Sequence, residues 1–127
     1  MKPTMKAALL NTFGGPDVIS IGETALRDMQ PDEATVRIEA AGVNPLDLKI
    51  VAGYMQQVFP VTLPHIPGND FSGVVEAVGA QVAHLQPGDR VFGRSKPGAG
   101  GAFGQRVLIH AAAGGVGRRL TTTPRHT

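Results

Sequence analysis

Glycine and proline punctuate this chain almost without interruption. Seventeen glycines and ten prolines are spread along 127 residues rather than gathered in one tract. That distribution allows many short strands joined by turns and argues against a disordered segment. "MKAALL" and "VISIGE" read as two strands separated by the turn formers "NTFGGPD". From Thr35 to Ala41 the residues alternate, Val36, Ile38 and Ala40 to one side, Arg37 and Glu39 to the other, as in a half-buried strand. "DFSGVVEAVG" is a further strand, with Gly73 inside it marking a bulge or a close approach of backbone. "QPGD" fits a tight turn before the brief strand "RVFG". The fold class expected is mainly β, a small barrel or sandwich.

Two stretches break the strand pattern. "GVNPLDLKIVAGY" predicts one or two helical turns, with Asn44 at the cap, Pro45 in the first turn and Gly53 closing it. "VFPVTLPHIPG", with three prolines, predicts an extended irregular loop. "GRSKPGAGGAFG" has the composition of a mobile loop. Its glycines meet neither the phosphate-loop ending nor the Gly-x-Gly-x-x-Gly spacing.

"RVLIH" is a continuous apolar run, the pattern of a strand buried on both faces of a parallel sheet. Ala112, Gly114 and Gly117 come after it at the spacing of a dinucleotide-binding turn, with Ala in place of the first glycine. In such a turn the amides of Gly115 and Val116 point at a pyrophosphate, with a helix dipole behind them. A tight turn without a ligand is the competing reading. The acidic residue that would hold the ribose is expected about twenty residues beyond the glycines. "RRLTTTPRHT" supplies neither that residue nor an apolar helix.

Composition narrows the function. Three of the twelve basic residues, Arg118, Arg119 and Arg125, fall after the last glycine; before it, nine basic residues face ten acidic ones. The positive balance therefore belongs to a solvated tail and does not call for nucleic acid. Five Phe, one Tyr and no Trp leave little for stacking on single strands. The absence of Cys excludes disulfides, thiolate zinc sites and cysteine nucleophiles. "AALL" is too short for a signal-peptide core, and no segment has the length of a membrane span. A cytoplasmic protein with no membrane partner is expected.

Three motifs in order, "AAGVNPLDLKIVAG", "IPGNDFSGVVEAVGAQVAHLQPGDRVFG" and "GQRVLIHAAAGGVG", resemble the medium-chain dehydrogenase/reductase superfamily, most of all its zinc-independent quinone oxidoreductase (zeta-crystallin-like) branch. The resemblance runs from residue 5 to residue 117. It implies a GroES-like β-barrel over residues 1–103, the start of a Rossmann domain over 104–117, and an unrelated, disordered tail over 118–127. It also implies an active site in the cleft between barrel and Rossmann domain, where NADPH passes hydride to a quinone or an activated alkene or carbonyl. Zinc-dependent relatives have Cys where this chain has Asn44 and His where it has Asn69, so no zinc is expected.

By the same resemblance Asn44 lies beside nicotinamide and substrate, and its N–H groups suit it to stabilise a developing oxyanion. Its other reading is a helix cap and nothing more. Lys49 and Tyr54 are candidate substrate contacts; the alternatives are a solvated lysine and a tyrosine packed over the barrel. Asp47 is read either as lining the cleft or as solvated, His65 as a loop histidine, and Asp70 as orienting the turn after "PGN". Gly68, Gly73 and Gly79 read as backbone necessities.

The departures from the family shape two expectations. "GGAF" runs straight into "GQRVLIH", where the family has several dozen residues, so the chain reads as a member with an internal deletion and a foreign C-terminus. Little turnover is expected from it alone. The alternative function is a non-catalytic barrel module that self-associates, as a homodimer for instance, through "RVLIH" as an open edge.

Overall fold

The computed structural model describes residues 4–95, 100–110 and 121–122. Strands dominate it. β1 (Thr4–Leu10) and β2 (Ile19–Ala25) pair antiparallel around a 3-10 turn at Pro16–Val18. β3 (Glu33–Gly42), β4 (Asp70–Val78), β5 (Arg90–Arg94), β6 (Arg106–His110) and β7 (Thr121–Thr122) form a second sheet in the order β6-β3-β4-β5-β7, with every pairing antiparallel. α1 (Pro45–Ala52) sits in the long connection between β3 and β4.

The second half of β1 is tied to the segments that lead into the second sheet. The Ala8 N–H donates to Phe103 O at 2.9 Å, and Leu10 and His65 exchange backbone hydrogen bonds of 2.8 and 2.9 Å. These closures give the mainly β, GroES-like barrel that the sequence implies. Its interior is filled by alternate residues of the paired strands, among them Val36, Val75, Val91, Val107 and Ile109, all 5 % exposed or less. Each such aliphatic side chain taken out of water contributes about 1.5–3 kcal/mol.

β3 keeps the expected alternation only in part. Val36 is buried, Arg37 exposed and Ile38 half-buried, but Ala40 is exposed. The register against β4 slips between Thr35 and Val36 and again between Ile38 and Ala40. A bulge inserts a residue and rotates the remainder of the strand, so the inward set changes partway along it. Gly73 of β4 lies opposite this region, and a Cβ there would stand 2.1 Å from the Arg37 carbonyl oxygen. Close approach of backbone is the reason for that glycine.

Three expectations are corrected. "RVLIH" is not a strand of a parallel sheet: β6 pairs antiparallel with β3, from Arg37 opposite Arg106 to Glu33 opposite His110. Val107 and Ile109 point into the barrel core while Leu108 is half-buried. A five-residue apolar run has the same appearance in either setting, and the exposed flank of β3 supplied the partner. The loop read as mobile is held over its residues 101–103, where N–H groups donate to Ile66, Gly68 and Pro67 carbonyls at 2.7, 3.1 and 3.0 Å. Of the tail read as disordered, Thr121 and Thr122 pair with Phe92 and Val91.

Candidate functional site

The candidate site is built where α1 begins. Asn44 is the N-cap residue in extended conformation, Pro45 opens the helix, and Gly53 ends it at φ +85°. Both signals were legible, since proline fits the first turn and glycine accepts the left-handed C-terminal conformation. Asp47, in the first turn, is 2 % exposed. One of its oxygens accepts the Asn44 backbone N–H at 2.8 Å and the other accepts Asn69 Nδ2 at 2.8 Å. A buried carboxylate is costly unless its oxygens are bonded, and here two donors and the positive end of the helix dipole answer it. Asp47 is therefore neither solvated nor in a cleft; it is the buried anchor of the site.

Asn69 stands at the end of the proline-rich loop and is 5 % exposed. Its Nδ2 is committed to Asp47, and the Ser95 hydroxyl lies 3.3 Å from both its Oδ1 and its backbone oxygen. Asn44, half-buried, is arranged otherwise. Asn44 and Asp47 form a capping box in which the Asp47 carboxylate holds the Asn44 N–H, and the Asp47 N–H donates to the Asn44 backbone oxygen at 2.9 Å. The Asn44 carboxamide reaches across to β4, where Nδ2 donates to Asp70 Oδ2 at 2.7 Å. The other oxygen of Asp70 accepts from Arg94 Nε at 2.9 Å. Burial opposes the Asp70 charge, but hydrogen bonds from Arg94 and Asn44, with the Arg94 charge, outweigh it and hold this carboxyl below the usual range.

The two asparagines thus differ in what they have left. Asn69 has both ends of its carboxamide engaged in the interior. Asn44, half-buried, gives one of its two N–H groups to Asp70, and among the described residues no bond takes the second. Behind them lies a small recess bounded by Asp47, His65, Gly68 and Gly100. His65 is a loop histidine, as read; burial lowers its pKa. Among the described residues no group of three or more His, Asp or Glu is placed to hold a metal, and no helix is long and apolar enough to cross a membrane.

Lys49 lies on the exposed side of α1. Tyr54 is 82 % exposed, which corrects the expectation that it packs over the barrel. Val43, Leu48 and Val58, in and beside the same helix, are exposed as well. The structure brings Asn44, Asp47, Asn69 and Asp70 together and leaves Lys49 and Tyr54 outside their hydrogen-bond network. Ala112, Gly114, Gly115, Val116 and Gly117 lie outside the described residues. Sequence reasoning missed Arg94. The signal that finds it is register, because Asp70 and Arg94 are directly opposed on β4 and β5.

The family profile described as "Alcohol dehydrogenase GroES-like domain" matches residues 30–125. The chain belongs to that family. The GroES-like barrel is 37% identical over 95 residues to a quinone-oxidoreductase homolog, chloroplastic, of Spinacia oleracea, covering 75% of this chain and 29% of that protein. It is 38% identical over 89 residues to a quinone oxidoreductase of Sus scrofa, covering 69% and 26%. The solved structure of the quinone oxidoreductase from Coxiella burnetii superposes with a TM-score of 0.81 at 26% identity, over 94% of this chain and 37% of that one. The barrel is thus a quinone-oxidoreductase-like member of the medium-chain dehydrogenase/reductase superfamily, and it spans about a quarter of the length of the curated relatives it matches.

Proposed function

We propose that this barrel is the substrate side of an NADPH-dependent reduction of a quinone or an activated alkene or carbonyl. The observation that carries the reading is Asn44: its half-buried carboxamide is anchored on Asp70 through one N–H, and we assign the other N–H to the substrate. NADPH, when bound, supplies hydride. As the acceptor's oxygen gains charge, the free N–H of Asn44 donates to it, and a donor fixed before the reaction needs no reorganisation when that charge forms. Asp47 and Asn69 hold the start of α1, and so the Asn44 backbone, in place. Ala112, Gly114, Gly115, Val116 and Gly117 are the residues proposed to cradle the cofactor's phosphates. The exposed Lys49 and Tyr54 are available to the rest of an extended substrate. A cytoplasmic site of action belongs to the same reading.

Duroquinone, a weak alkylating agent, tests the substrate half without cofactor. Titrated into the 15N-labelled chain it should shift the Asn44 side-chain amide, and Asn44→Ala should weaken binding about tenfold, the worth of one hydrogen bond to a polarised oxygen. A wild-type spectrum indifferent to duroquinone sinks the proposal. Saturable quenching of NADPH fluorescence tests the cofactor half.

The antiparallel pairing of β6 favours a second reading. A strand spent on closing the barrel is not available to a parallel cofactor sheet, so the chain would act as a non-catalytic module. Among the described residues β6 is also the last strand of its sheet; β1 meets the chain only just before it, at Gly104 and Gln105, and its remaining outer flank offers an edge to a second copy. Failure to quench NADPH, together with a dimer in sedimentation equilibrium, supports this reading; a monomer at all concentrations removes self-association from it.

A further inference from the structure

A carboxamide serves as a fixed donor only if its two ends cannot trade places. Half a turn about the last torsion of Asn exchanges Oδ1 and Nδ2 with hardly any change of shape. At Asn44 that exchange would turn an acceptor toward the substrate oxygen, and the proposed function would be lost without any change of fold. Asp70 removes the ambiguity. A carboxylate only accepts, so Nδ2 must face Asp70 Oδ2, as it does at 2.7 Å. A flipped Asn44 would set its oxygen against that carboxylate in a half-buried position.

Asp70 is itself held. Arg94 Nε donates to its other oxygen at 2.9 Å, and the guanidinium stays charged at any working pH. Register makes this contact structural: Asp70 is flanked by Arg94 of β5 and by Gly42 of β3, which brings no charge. From α1 the charged groups are Asp47, already committed to Asn69 and to the Asn44 backbone, and Lys49 on the exposed side of the helix.

We infer that Asp70, backed by Arg94, is a positioning residue that locks one orientation of the Asn44 carboxamide and so assigns its second N–H to the substrate oxygen. The inference rests on the reading of Asn44 as donor, and the two are separable by experiment. In the 15N-labelled chain without ligand, the Asn44 side-chain amide protons should shift as Asp70 titrates. Its pKa is depressed, so the lock is complete above the ordinary carboxylate range and is lost only as pH falls through the lower folded value. Duroquinone affinity in wild type should fall over that same acid window.

Asp70→Asn can pair with either end of Asn44. It should keep the backbone spectrum, abolish the amide titration, flatten the pH course of duroquinone binding and weaken binding about twofold, because about half of the carboxamides still present a donor. Arg94→Met, which leaves Asp70 in place, should move the amide titration toward the ordinary carboxylate range, and it provides the test should Asp70→Asn not fold. A purely structural Asp70 would change stability without flattening the pH course. If the Asn44 amide ignores pH, or Asp70→Asn binds duroquinone as wild type does with the same pH course, the positioning role is overturned. If instead the amide follows Asp70 but Asn44→Ala binds duroquinone as tightly as wild type, the lock stands and the donor reading fails.

Discussion

A carboxylate with 2 % of its surface exposed must have its oxygens answered, and at Asp47 the answer defines the site. Its partners are the backbone N–H of the residue just before the helix and an amide from a loop far along the chain. Asp47→Ala would strand both donors and remove an anion from the helix start. We expect a loss of about 2 kcal/mol, read as a lower urea midpoint at unchanged slope. At this scale the sequence was partly legible. Pro45 and Gly53 announced the helix, and Asn44 its start, because those requirements are local. That Asp47 is buried and that the Asn44 carboxamide bonds to Asp70 were not legible, because each depends on a residue brought in by the proline-rich loop or by β4. Residue type narrowed Asn44 to a cap or a donor; the structure places it at the cap of α1, with its carboxamide on Asp70.

Strands were read well where alternation was clean, and misread where a short apolar run left two settings open. β1, β2, β4 and β5 lie where turn formers and pattern placed them. β3 departs from its pattern at the bulges, which no periodicity announces. β6 shows the limit most clearly: "RVLIH" has the composition of a strand between two layers, yet it closes a barrel. Ile109, 5 % exposed in that barrel, makes the assignment testable. Ile109→Lys places an unpaired charge in the core and removes an aliphatic side chain, so the chain should lose more than about 3 kcal/mol. Were β6 peripheral to the barrel, the same substitution would leave the thermal midpoint unchanged.

For the molecule as a whole, the site exists because distant segments converge on α1. Asn69 and Asp70, from the loop and β4, bond to the start of a helix that comes after β3 in sequence, and Ser95 and Arg94 at the end of β5 hold those two in turn. Architecture was legible because glycine and proline limit the length of every element. The convergence was not, since it depends on register between strands rather than on any one of them. The pairing of β6 with β3 also bears on how the chain finds its fold. The residues it joins are separated by more than half the chain, so this ladder cannot form until a very long loop has been closed. Chains ruled by such contacts fold in about milliseconds to seconds, whereas locally connected helical bundles take microseconds. Stopped-flow refolding should therefore be slow, and truncating the β6 side chains should mostly speed unfolding. The last strand to arrive acts as a latch.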